Sequence, residues 1–511
     1  MTRPPKRTRK PRKSSAASAP NVQAEDGRVR VRHYCQGIGD CHLLRFPKKD
    51  DGFFWMLIDC GVHTSVSGGG DTIRRIVKNI REVTDRIDVL VVTHEHWDHV
   101  SGFLSAAEEF AELDVGAVWM AWTENGEDGL AKELDKFRAM AMNSLQDVGR
   151  QLDRAHGLGG QMAGMRKGLD ALMGFQFGAK GERVRAARDA AKALAPDGKP
   201  VYLGPDTAPI ELADVPGLRI YVLGPPRDRA ALGVEVKAGE MYGVLGRNGW
   251  LMDNAMRSLG AREQGAFVAD PCAPFDAGVG MSLSAALSGS PDDQGEDMLA
   301  AFLRTHYSGA PAIGADESAR AVADAEDAIA WRRIDADWLA AGAELAIRLD
   351  RGINNSSLVL AFEFVDTGRV LLFPGDAQAG NWLSWEKVGW DVGGVRVNAN
   401  DLLARTVYLK VAHHGSHNAT LRQKGLELMN SPDLAAFIPT NEADAKKVGW
   451  GEMPFHDILR ALAERTAGRV VRADDPWIGD PAKKPGFTAP SGAVRSMSND
   501  PGGLWVELDL A

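Results

Sequence analysis

Cysteine is scarce in this 511-residue chain. The four that occur, Cys35, Cys41, Cys60 and Cys272, have no CxxC spacing. That argues against a disulfide framework or a cysteine zinc site and predicts reduced thiols in a cytoplasmic protein. Long apolar runs are missing too. None approaches the roughly 20 residues of a membrane-spanning helix. No apolar segment of a secretory signal follows the basic N-terminus. Net positive charge is also lacking: the formal charge is −9 and the pI about 5.8. A protein that coats nucleic acid over its whole surface would be basic, so that role is not expected. There is no internal repeat. With 44% hydrophobic and 25% charged residues, the composition is that of a soluble globular protein. A chain this long can bury a large core, so neither disulfides nor metal are needed merely to hold the fold.

The first segment differs from the rest. Seven lysines and arginines fall before residue 14, and no acid appears before Glu25. Residues 1–27 read as a disordered basic tail on an acidic body. Such a tail is either a solvated segment or a phosphate-binding arm. The body, residues 28–511, reads as one domain with insertions. Val29 to His33, His42 to Phe46 and Phe53 to Ile58 read as strands, Thr72 to Val83 as a helix, and Ile87 to Val92 as a strand buried on both faces. Strands and helices alternate, which predicts a layered α/β fold. From Leu104 to Leu194 the pattern is mostly helical, giving a helical insertion at about 105–199. Strands return at Val201 to Leu203 and Leu218 to Leu223. A second insertion, loop-rich and helical, spans about 226–342, with a long loop at 262–297 and a helix at Ala315 to Ala341. Strand candidates follow at Glu344 to Leu349, Ser357 to Phe364, Arg369 to Phe373 and Thr406 to Val411. Asp366-Thr367-Gly368 makes a hairpin turn.

The sharpest signal is Thr93-His94-Glu95-His96-Trp97-Asp98-His99, directly after a buried strand. His94 and His96, two apart, can point the same way from an extended loop. Asp98 and His99 can address a second point. Imidazoles with one carboxylate suit zinc, manganese or iron. Two later segments each follow a strand: Phe373-Pro374-Gly375-Asp376 and Lys410-Val411-Ala412-His413-His414-Gly415-Ser416. Each is weak alone and strong beside the histidine loop. Two metals about 3.5–4 Å apart need a bridging group, and Asp376 is the natural candidate.

Together these segments resemble the signatures of metallo-β-lactamase-fold hydrolases. The branch they resemble contains the hydrolase domain of ComEC-type DNA-uptake proteins. Gly37-Ile38-Gly39-Asp40, Leu57-Ile58-Asp59-Cys60-Gly61 and Asn354-Asn355-Ser356-Ser357 support that branch. The resemblance covers about 28–104, 200–225 and 343–475. It implies a four-layered αββα sandwich with a dinuclear site at one edge, bearing large, mainly helical insertions. His94 and His96 would hold the first metal, Asp98 and His99 the second. Asp376 would bridge, and His414 would complete the second site, with His413 the alternative. Asp98 and Asp376 would carry the catalytic role. Asp59 would accept a hydrogen bond from a ligand imidazole and orient it. Relatives supply a further histidine to the first metal; here Asn354-Asn355 stands at the corresponding strand. If Asn355 or its neighbour offers an amide oxygen, the first site is loose or manganese-preferring. The alternative is that the asparagines only form a turn.

Weaker candidates remain open. Trp382, Trp385 and Trp390 either stack a base or fill the core. His417 is either a proton donor or a surface residue. His456 reads as packing or capping, and His33, His42 and His63 as structural. The insertions could serve a protein partner. The expected cofactors are two divalent ions, zinc or manganese. The expected activity is hydrolysis of a phosphodiester in nucleic acid or a nucleotide. Two alternatives stand beside it: hydrolysis of a lactone, thioester or amide, and a metal-binding effector or interaction subunit.

Overall fold

The computed structural model describes residues 28–154, 182–233, 240, 349, 352–447, 452–480, 482–487 and 491–510. The basic tail, the 262–297 loop, the Ala315 to Ala341 helix and most of the second insertion lie outside the described residues. So does the Glu344 to Leu349 strand, except Leu349, which is helical.

The elements follow from short apolar runs bounded by glycine and polar turns. β1 (Val29–Tyr34), β2 (His42–Pro47) and β3 (Phe53–Ile58) form an antiparallel meander. α1 (Gly69–Val83) then crosses back, burying Ile73, Ile76, Val77 and Ile80 at helical spacing. β4 (Val89–Val92), β5 (Val118–Ala121) and β6 (Val201–Leu203) add in parallel beyond β3. α2 (Trp97–Ser105) follows β4. α3 (Gly129–Arg154) and α4 (Glu182–Ala193) are the two long described helices between β5 and β6.

The second sheet holds β7 (Ile210–Glu211), β8 (Leu218–Gly224), β9 (Val359–Phe364), β10 (Arg369–Phe373), β11 (Thr406–Lys410), β12 (Ala435–Ile438) and β13 (Val470–Arg472), in that spatial order. β10 to β13 run parallel. β14 (Val494–Asn499) and β15 (Trp505–Leu510) return to the first sheet, where β15 pairs with β1 from Val29↔Leu510 to Tyr34↔Trp505.

The two sheets pack face to face. Val31, Leu44, Phe46 and Met56 from the first meet Leu360, Phe362, Phe373 and Phe437 from the second. α1 and α2 cover the outer face of the first sheet. α5 (Ala379–Ser384), α6 (Ala399–Ala404) and α7 (His456–Arg465) cover that of the second. The result is the four-layered αββα arrangement of the metallo-β-lactamase fold. Among the described residues no helix is long and apolar enough to cross a membrane.

Two differences from the sequence reading have physical causes. β5 lies inside the stretch read as helical. Its four residues are all buried, so they carry no alternation, and a short apolar run does not distinguish strand from buried helix. The β14–β15 hairpin was not expected. β14 is mostly polar and partly exposed, and it belongs to the sheet through its pairing with β15.

Candidate metal centre

The site forms where parallel strands end. β4 runs into Thr93, and His96 is the N-cap of α2, which places Asp98 and His99 in the first helical turn. β3 ends beside it at Asp59, whose φ of 55° is left-handed, a conformation that aspartate tolerates better than most residues. The Asp59 carboxylate accepts the Thr93 amide (2.8 Å) and hydroxyl (2.6 Å). Gly61 lets the two loops touch. A Cβ there would lie 2.2–2.4 Å from backbone atoms of Asp98 and His99.

The other half comes from the second sheet. β10 and β11 are parallel neighbours, so Asp376 and the His413-His414 pair leave the same edge. His413 and His414 both adopt left-handed φ, 43° and 54°. Such backbone strain is kept where the surroundings over-determine it, as at functional sites.

These turns bring four buried side chains together. Ligand atoms of Asp98, His99, Asp376 and His414 lie within 4.8 Å of one another. His414 Nε2 is 2.9 Å from Asp98 Oδ2 and 3.7 Å from Asp376 Oδ2. His99 Nε2 is 3.1 Å from Asp376 Oδ2 and 3.9 Å from Asp98 Oδ2. The outer nitrogens are anchored. His99 Nδ1 lies 2.8 Å from Asp59 Oδ2, and His414 Nδ1 lies 2.6 Å from the Pro439 carbonyl. Each Nδ1–H donates outward and each Nε2 faces the cluster, an arrangement typical of metal-ligating histidine. His94 and His96 adjoin this group. His94 Nε2 is 3.0 Å from His96 Nδ1, and the His94 and His99 rings are 4.2 Å apart.

Charge follows the carboxylates. Burial opposes a charge on His99 and His414. Asp376 and the other acids beside them outweigh burial and hold both above the ordinary histidine value. Burial would raise Asp98 and Asp376, yet the neighbouring cations keep both carboxyls low. For His94 and His96 burial wins; His94 is lowered, and His96 goes to about 3.

The other sequence candidates separate clearly. His413 is turned toward amides: Nδ1 is 3.0 Å from Gln378 Nε2, and Nε2 is 3.5 Å from Asn354 Nδ2. Burial lowers it to about 4. Asn355 has both ends of its amide engaged, donating to the Leu232 carbonyl and accepting the Asn381 amide. His417 is half-buried, its ring 6.0 Å from that of Phe455. Trp382, Trp385 and Trp390 are buried in the core beneath the second sheet, with Trp382 against Trp385 at 4.1 Å. His456 is exposed and lies 3.3 Å from Glu452, so it does not pack as expected.

Three features were not anticipated. Asp40 and Lys410 are both buried against the back of the site. Glu95, inside the histidine motif, points at α3 and α4. Its carboxylate accepts from Arg138 of α3 (2.7 Å) and Arg188 of α4 (2.9 Å). Arg138 also donates to Ser356 Oγ (2.9 Å), so one arginine ties α3 to the histidine motif and to the turn before β9. No sequence spacing signals any of these contacts.

The donor set fits a divalent cation. His99 Nε2 and Asp376 Oδ2 are buried, 3.1 Å apart, and among the described residues neither has a hydrogen-bond partner. Buried polar atoms are rarely left so unless something else satisfies them. Nitrogen and carboxylate oxygen at one point suit zinc or manganese. Residues 37–116 match the family model of the metallo-beta-lactamase superfamily. That segment contains the His94–His99 motif and Asp59. No curated protein and no solved structure matches the chain.

Proposed function

We propose that this protein is a metal-dependent hydrolase with a dinuclear site, and that its substrates are phosphodiesters of nucleic acid or nucleotides. The observation that carries the reading is the convergence of Asp98, His99, Asp376 and His414 on one buried point, with His94 and His96 adjoining it. His94, His96 and Asp376 would hold the first ion. Asp98, His99, Asp376 and His414 would hold the second. When bound, divalent ions activate water at neutral pH and stabilise charge on a phosphoryl group.

The chain's own residues prepare that chemistry. Asp59 and the Pro439 carbonyl fix the proton of each second-site imidazole on Nδ1 and leave Nε2 free to coordinate. The His413 amide holds Asp376 Oδ1 at 3.0 Å and so directs Oδ2 into the site. Glu95 is occupied by two arginines and serves as an anchor, not as a base. The phosphodiester class rests on the ComEC-like motifs and on the basic tail. A small or cyclic nucleotide suits the acidic body better than a long polyanion, which needs a basic groove.

The test is hydrolysis by the full chain loaded with zinc or with manganese. The panel holds single-stranded DNA, duplex DNA, RNA, cyclic nucleotides and a lactone. Cleavage of a phosphodiester is expected. Turnover of the lactone alone overturns the substrate class. No turnover with two ions bound favours an effector role instead.

A further inference from the structure

The Lys410 side chain is 1% exposed, a rare state for lysine. It lies at the end of β11, behind the ligand cluster. Its Nζ donates to the Gly375 carbonyl (2.9 Å), lies 3.3 Å from Asp376 Oδ1 and contacts Asp40 Oδ2. Asp40, also 1% exposed, is held in turn. Its backbone amide donates to the Asp98 carbonyl (3.1 Å), and its Oδ2 lies 3.5 Å from His42 Nε2 and 3.8 Å from His99 Nδ1. The two oxygens of Asp376 therefore have different surroundings. Oδ1 is taken by Lys410 and by the His413 amide (3.0 Å). Among the described residues, Oδ2 faces His99 Nε2 (3.1 Å) and His414 Nε2 (3.7 Å).

From this geometry we infer that Lys410 is a positioning residue of the metal centre: held by Asp40, it occupies one oxygen of Asp376 and commits the other to the ions. The inference rests on the metallohydrolase reading above. Without Lys410 the carboxylate can rotate or bind through both oxygens, and its direction toward the two ions is lost. A second consequence is electrostatic. Asp40, Asp59 and His99 form a buried group of potential ligands in their own right. The lysine ammonium sits against that group from inside the protein and offsets its negative charge. A divalent ion is thus steered to the Asp376 Oδ2 side.

The test uses the full chain and Lys410→Met, which keeps the length of the side chain and removes its charge. Three quantities are read: zinc and manganese affinity by calorimetry, the visible spectrum of the cobalt-substituted protein, and kcat against KM on a chromogenic phosphodiester. Groups that orient a metal ligand typically change affinity or activity by about ten- to a hundredfold. We expect Lys410→Met to lose metal affinity in that range, to shift the cobalt bands, and to lower kcat with KM little changed. Where removing one partner of a buried pair prevents folding, Asp40→Asn with Lys410→Met removes both charges together and is read in the same way. Wild-type affinity and an unchanged cobalt spectrum in the folded variant overturn this inference and leave the hydrolase reading intact. Failure of the wild-type chain to bind either metal removes the reading first, and the inference with it.

Discussion

His33 and His42 lie between the sheets; His99 and His414 lie at the sheet edge. All four are buried, yet the two pairs are charged differently. The inner pair contacts itself and Tyr408, and among the described residues His42 Nε2 has no hydrogen-bond partner. His33 Nε2 lies against the Tyr408 hydroxyl. His33 Nδ1 is 2.9 Å from His42 Nδ1, and His42 Nε2 faces Asp40 Oδ2 at 3.5 Å. His33 also stacks on Phe437 at 3.8 Å. Burial lowers both rings below the ordinary value, so they stay neutral. At the edge, Asp376, Asp98, Asp40 and Asp59 surround His99 and raise it. Residue type and burial are the same in the two places. The inner rings have Asp40 beside His42 and burial prevails, whereas the several carboxylates around His99 outweigh burial and make the edge pair the candidate metal site.

The largest test of that contrast is Asp376→Asn. It keeps the size of the side chain and removes the charge that both edge histidines share. Loss of well-placed electrostatic assistance costs on the order of 10²–10³ in rate. We expect a folded protein with activity at least about a hundredfold lower, since a core of this size does not depend on one ligand. Near-normal turnover would rule out a bridging role for Asp376. His414→Ala should behave in the same way and should also lower metal content by elemental analysis. His413→Ala should retain its metal, because that ring faces the Gln378 and Asn354 amides. The reverse result would exchange the two assignments.

A smaller effect is expected from Asp59→Asn. The amide can still accept from Thr93 but loses the charge that anchors His99 Nδ1 at 2.8 Å. A drop of about ten- to a hundredfold in metal affinity is expected, measured by competition with a chelator. Unchanged affinity would reduce Asp59 to a backbone pin for Thr93.

The fold and the candidate site were legible to different depths. The αββα layers could be read because the strands are short apolar runs ending in Asp59, Thr93, Gly375 and Ala412, where polar ligand-type residues begin at once. The convergence of His99 with Asp376 and His414 was legible for the same reason: each follows a buried strand. Lys410 was not, because a lysine at a strand end reads as a solvated terminus, and only the packing of the two sheets brings Asp376, after β10, and Asp40, from the β1–β2 connection, against it. The His33–His42 contact depends on the β1–β2 register, which places them directly opposite. Spacing along the chain carries no trace of that. Glu95 was hidden by its own motif, since a carboxylate between two ligand histidines reads as part of the site. It is instead the anchor for helices more than 40 residues away in the chain, as the contacts with Arg138 and Arg188 show.

The smallest expected effect concerns pH and the inner pair. His33 and His42 are held below the ordinary histidine value of 6.5. The unfolded chain therefore binds protons at these rings that the folded chain does not. The sign follows: their contribution is fully present above about pH 6.5 and is lost as pH falls toward the folded values. Each ring can contribute a slope of up to about 1.4 kcal/mol per pH unit in that window. His99 acts in the opposite sense in the metal-free protein. Its folded value is raised, so its contribution is present below the unfolded value and lost as pH rises through the folded one. Denaturant titrations of metal-free protein, from neutral pH to about pH 5, read the sum. Replacing the inner pair, His33→Phe with His42→Leu, removes one side of it. The variant should lose less stability on acidification than wild type does, whatever its stability at neutral pH. An equal acid slope in both proteins would mean that the inner rings already carry protons in the folded state, and the contrast between the two pairs would fail.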